Sequence, residues 1–203
     1  MEKKVTYNEA AFITRVASAI PIAIDGRQLP QDTAASVIMA QVGWSAVMQE
    51  YESRMGEALK KMKKEGFDDR HRAYAEMERT DIRVKAHEDW DGEGEQPAMP
   101  TDEEIAAADK TRETAEGFRK ELDELEDLYK TAREKEGEKT AAKTPAALTR
   151  RELADIIGML GAEGTVRMAV GGGEEGVDEN GQPRMADVPR LTLVSMIAAN
   201  MVE

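Results

Sequence analysis

The stretch Val37–Met62, VIMAQVGWSAVMQEYESRMGEALKKM, decides how this chain is read. Val37, Gln41, Trp44, Met48, Tyr51, Met55, Ala58 and Met62 follow one another at alternating steps of four and three residues. That spacing keeps returning to one side of a 3.6-residue helix, so it predicts a long amphipathic helix with a coiled-coil-like seam. Ile38, Val47 and Leu59 are expected to widen the stripe. Asp32 or Thr33 is read as the N-cap. The run Lys60-Lys61-Met62-Lys63-Lys64 places cations at the negative end of the helix dipole, and Gly66 suits the position after the helix.

A second seam lies further along. Thr101-Asp102-Glu103-Glu104 reads as a capping box, and the helix it opens carries Ala108, Ala115, Phe118, Leu122, Leu125, Tyr129 and Ala132 on one face. Its other faces are charged. The candidate interaction seam is therefore Trp44, Met48, Tyr51, Met55 and Met62 with Phe118, Leu122, Leu125 and Tyr129. Its two halves are expected to pack as an extended helical hairpin, or to pair between chains.

The flanking segments change period. Thr6-Tyr7-Asn8-Glu9 caps a short helix with Phe12, Ile13, Val16 and Ile20 on one face, closed by Pro21. PIAIDGRQLP, residues 21–30, reads as a small β-hairpin turning at Asp25-Gly26. Phe67 to about Glu88 is a helix with a narrow apolar edge of Tyr74, Met77 and Ile82. Thr149-Arg150-Arg151-Glu152 caps a helix with Leu153, Ile156, Ile157 and Leu160 inside. Thr165–Val170 alternates like a strand, residues 184–188 form a return strand, and Leu191–Val202 is a helix. The fold expected is mainly α: long amphipathic helices in a hairpin or bundle, with a small α+β C-terminal unit. The divisions are an N-terminal helical region 1–90, an acidic linker 91–100, a charged coiled-coil-like helix 101–136, a linker 137–147 and the α+β unit 148–203.

Composition narrows function. Aromatic residues make up 4% of the chain and there are 12 methionines, so the core must be aliphatic and methionine-rich. The net charge of −13 opposes a broad basic face for nucleic acid and disfavours acidic lipid. With no cysteine, thiolate metal sites and cysteine nucleophiles are excluded. No apolar run approaches the roughly 20 residues of a membrane span, and no cleavable targeting segment is read.

Four stretches resemble known sites. HEDWDGEGEQPAMPTDEE, residues 87–104, alternates acids like a calcium loop. Asp89, Asp91 and Gly94 fall at positions one, three and six, but position twelve is Pro100, which cannot supply the bidentate carboxylate. It reads as an acidic hinge. His71 and His87 stand about 24 Å apart on one helix and cannot share a metal. Gly171-Gly172-Gly173 lacks the Lys-Ser/Thr and helix start of a phosphate loop and is followed by Glu174-Glu175. LTRRELADIIGMLGAEGTVRMAV begins like a helix-turn-helix, but Gly161 and Gly164 fall where a recognition helix should run.

No catalytic constellation, metal site, cofactor or small-molecule substrate is expected. The function expected is that of a non-enzymatic structural or assembly protein, a scaffold, connector or chaperone of a larger complex such as a bacteriophage particle. Its partners would be itself or other assembly components, with no direct nucleic acid and no membrane. Its location would be the cytoplasm, or a virion if the chain is phage-encoded. In this reading the loop Gly171–Pro183 reaches a neighbour. The alternative is an acidic inhibitor whose carboxylates, in 88–104 and 113–127, occupy the nucleic-acid-binding surface of a basic partner.

Overall fold

The computed structural model describes residues 4–171, 176–178 and 182–202. Among them the order is α1 (Tyr7–Ser18), β1 (Ala23–Ile24), β2 (Arg27–Gln28), α2 (Gln31–Met62), α3 (Phe67–Glu88), α4 (Asp102–Gly137), α5 (Arg150–Leu160), β3 (Thr165–Ala169), β4 (Met185–Pro189) and α6 (Arg190–Met201). The molecule is mainly α, with two long helices and a small C-terminal α+β element. Contacts divide it into two units, residues 1–55 with 134–203, and Gly56–Arg133.

In the first unit, helix starts follow their capping signals. Thr6 Oγ1 accepts from Glu9 N, and the Glu9 carboxylate accepts from Thr6 N at 2.8 Å. Thr149 and Glu152 repeat the arrangement at α5. Each box satisfies two amides that the first helical turn leaves without partners. Neither Asp32 nor Thr33 caps α2, because the helix already begins at Gln31; Thr33 is instead turned to another helix. It is buried and donates to Asp155 Oδ2 of α5 at 2.6 Å, which removes it from the helix end. Gln41, expected in the seam, donates to the carbonyls of Ala17 and Ile20 and closes the C-terminus of α1.

The hairpin β1–β2 pairs Ala23 with Gln28 and Ile24 with Arg27. Both turn residues have positive φ, 50° at Asp25 and 76° at Gly26, as a two-residue type I′ turn requires. β3 and β4 are antiparallel, with Val166 opposite Val188. Val166, Met168 and Val188 are buried and Thr165, Arg167 and Asp187 exposed, so the expected alternation holds. Gly161 and Gly164, with φ of 68° and 97°, turn the chain from α5 into β3. A strand therefore stands where a recognition helix would run, and the helix-turn-helix does not form.

Extended backbone ties the two ends of this unit together. Ala141 N donates to Val5 O and Tyr7 N to Lys139 O, while Leu148 N donates to Met201 O. Arg190, the first residue of α6, binds the rest of the element. Its Nη1 donates to Leu160 O at 2.8 Å, its Nη2 meets Asp25 Oδ2 at 2.5 Å, and its backbone N donates to Gly164 O. One side chain thus pins the hairpin and the end of α5 to α6. α6 itself contacts α1, α5 and both strands through the buried Leu193, Ile197 and Met201.

The second unit is a helical hairpin built on α3 and α4. Arg70 pairs with Glu121 at 2.7 Å, Asp81 with Arg112 at 2.6 Å and Arg83 with Glu104 at 2.8 Å. The partner number falls as the first rises, so the helices are antiparallel. α4 thus finds its ladder on α3, where its partner was expected to be α2. The end of α2 joins them: Met62, with Lys63 and Lys64 just beyond the helix, shares a small cleft with Phe67, Glu121 and Leu125. The buried edge of α3 is Phe67, Met77 and Thr80. Ile82 is exposed, because it lies five residues beyond Met77 and turns away from that edge.

Candidate helix interface

Every residue of the expected seam is buried or half-buried. On α2, Trp44, Tyr51 and Met55 are buried and Met48 is half-buried. The ring of Tyr51 lies 5.3 Å from that of Tyr7 on α1, tilted by 39°. Around this pair runs a polar chain. Tyr7 Oη donates to Glu50 at 3.3 Å, Glu50 accepts from Arg54 at 2.6 Å, and Glu136 lies between Arg54 and Lys139. Burial, set against the nearby Arg54 charge, raises the Tyr7 phenol above its ordinary value. The hydrogen bond from Lys139, aided by Arg54, holds the Glu136 carboxyl below the usual range.

In the other unit Phe118 is buried with ring centroids 5.5 Å from Phe67 and 5.5 Å from Tyr74. His71, expected to be solvated, is exposed but stacks its ring on Phe67 at 6.0 Å. Leu122, Leu125 and Tyr129 are half-buried and line an open groove with Leu59, His71 and Tyr74. Met62 is half-buried at the neighbouring cleft. The structure therefore brings together Phe118 with α3, and Tyr51 with α1.

The fully buried positions of α2 are Thr33, Val37, Ala40, Trp44, Val47, Tyr51 and Met55. Ala40 and Val47 take places that strict heptad spacing would give to Gln41 and Met48. The buried line therefore drifts toward the 3.6-residue period of a straight helix. Ile38, expected on the buried stripe, is 47% exposed; Met39 is 71% and Val42 60% exposed. With Ala35 and Ala46, also exposed, they form a stripe on the side of α2 opposite its buried line. The sequence carried the signal for this stripe: no charged residue occurs between Asp32 and Glu50.

The acidic loop is folded onto itself. Glu93 N donates to Asp91 Oδ1 at 3.0 Å, Trp90 Nε1 donates to Glu93 O, and Gly92 and Gly94 take positive φ. His87 Nδ1 lies 2.7 Å from Pro97 O, and Pro100 is buried. Asp91 thus turns toward its own backbone. Among the described residues no three His, Asp or Glu side chains converge to hold a metal ion, and no described helix is long and apolar enough to cross a membrane. Residues 172–175 and 179–181 of the glycine-rich loop lie outside the described residues, so the reading of Gly172-Gly173 does too. Its described part continues the hairpin, with Val177 bridged to Pro183.

The first unit also holds a cavity of about 770 Å³, lined by the extended segment Thr140–Ala147 with Lys4, Val5, Trp44 and Ala199–Val202. Its charged lining groups are Lys4 and Lys143, and Thr140, Thr144 and Asn200 add hydroxyl and amide groups.

No protein-family model matches this chain, and no curated protein or solved structure matches it at a significant level.

Proposed function

We propose that this protein is a non-catalytic structural or assembly component that acts through helix–helix association. The observation that carries the reading is α2, a helix apolar on two opposite sides. One side is already buried by its own unit. The other exposes Ile38, Met39 and Val42 in a chain where 34% of residues are charged. A helix that is apolar all round belongs in an interior. An uncharged exposed stripe on an otherwise charged surface is the character of a contact site. A scaffold, connector or chaperone of a larger particle, a bacteriophage virion among them, is the kind of protein that uses such a surface.

The alternative, an acidic inhibitor of a basic partner, is weakened by the use the acids already have. Glu104, Glu121 and Glu124 of α4 face Arg83, Arg70 and Lys64, so part of the acidic array is neutralised within its own unit.

Absolute mass by light scattering, across a concentration series at low and moderate salt, tests the proposal. An oligomer that persists or strengthens with salt is expected, because screening relieves the repulsion between chains of charge −13. A monomer throughout would sink it. That monomer would favour the acidic reading, whose basic partner is a different protein.

A further inference from the structure

We propose that the outer face of α2 pairs with the same face of a second copy, antiparallel, about a two-fold axis between Met39 and Val42. The inference rests on the assembly reading and names its partner and geometry. The stripe is Ala35, Met39, Val42 and Ala46, spaced four, three and four residues apart, with Ile38 at its edge. Read from either end it runs small, large, large, small. A copy laid antiparallel therefore sets Ala35 against Ala46 and Met39 against Val42, each contact occurring twice, as an isologous interface requires. The small ends let the two backbones approach. Opposed helix dipoles favour this direction.

Charge selects a second copy as the occupant. A basic partner would be recognised by acids, and this face offers none between Asp32 and Glu50. Two chains of charge −13 repel each other least where acids are sparse. α3 and α4 carry exposed acids along their lengths, Asp69 to Glu88 and Asp102 to Glu134. Gln31 and Gln49 bracket one edge of the stripe and would meet as amide pairs. Asp32 and Glu50 bracket the other, so pairing should strengthen with salt. The stripe spans about 17 Å of helix, short of the roughly 800 Å² per partner of a standard interface, so the dimer is concentration-dependent.

The chain has no cysteine, which makes cross-linking clean. Ala35 and Ala46 are both exposed, so Ala35→Cys and Ala46→Cys are compatible with the fold, checked by helical circular dichroism. Under mild oxidation neither variant alone should form a disulfide dimer, because the two copies of one position lie about 16 Å apart along the pair. An equal mixture should form the mixed dimer. Dimers from each variant alone would overturn the antiparallel geometry, and no dimer in the mixture would overturn the face. Met39→Glu should weaken association at least about tenfold. An oligomer by mass that ignores Met39→Glu and gives no mixed disulfide refutes this pairing while sparing the assembly reading; a monomer refutes both.

Discussion

Replacing Arg190 by methionine removes the guanidinium and keeps most of the apolar stem, so it measures the clamp between α6, α5 and the first hairpin. The Arg190 side chain is only 11% exposed and Nη1 donates to the carbonyl of Leu160, a fully buried residue. A hydrogen bond from an ionised donor contributes about 1.5–3 kcal/mol, and the carbonyl left behind loses its partner. The pair with Asp25 adds less, because that carboxylate is 66% exposed and water screens it; about 0–1 kcal/mol is its share. Two terms oppose these. The buried guanidinium, whose Nε has no partner, no longer has to be desolvated. A cation is also lost from the N-terminus of α6, where it opposes the dipole by about 0.3–1 kcal/mol. The net expected cost of Arg190→Met is about 1–3 kcal/mol. Asp25→Asn, which tolerates the positive φ of 50°, should cost under about 1 kcal/mol. Urea unfolding followed by Trp44 fluorescence, in a Trp90→Phe background, reads this unit. If Asp25→Asn costs as much as Arg190→Met, the ion pair and not the carbonyl anchors the hairpin. If Arg190→Met costs nothing measurable, the clamp reasoning is refuted.

Phe118→Ala should destabilise the α3–α4 hairpin by about 3–5 kcal/mol, since the ring is buried against Phe67 and Tyr74; faster amide hydrogen exchange in α3 and α4 is the readout. Two glycines in helix interiors should respond with opposite signs. A Cβ on Gly43 would lie 2.9 Å from Pro145 Cβ, so crowding of about 1–3 kcal/mol outweighs the roughly 1 kcal/mol gained in helix propensity and the melting temperature should fall. Gly117 has open space at the same position, so Gly117→Ala should stabilise by about 0.5–1 kcal/mol. Glu152 is held below its ordinary acidity range by hydrogen bonds from Ser36 and from Thr149. A depressed carboxylate contributes stability that is complete above its unfolded value, about pH 4.3, and is lost as pH falls through the lower folded value. Glu152→Gln, which still accepts within the capping box but carries no charge, should therefore lower the melting temperature near neutrality, leave it little changed at low pH, and so flatten the acid limb of the profile.

What the sequence determined by itself was local. The boxes Thr6/Glu9, Thr101/Glu104 and Thr149/Glu152 all close as their spacing implies, because a cap is a hydrogen bond between residues three apart. Asp25-Gly26 turns the hairpin for the same reason, and the change of period after Gly164 marks β3. The seam was legible as a helical stripe, yet its partners were not. Tertiary structure decided that α4 ladders onto α3, through pairs such as Arg70 with Glu121 that lie 51 residues apart. It decided that Ala40 is buried while Gln41 caps α1 and Met48 is only half-buried, that Thr33 turns to Asp155, and that Ile38 faces outward. Charge and apolar spacing say that a helix has a face to cover. Which surface covers it depends on packing summed over distant elements, and that sum exists only once the chain has folded.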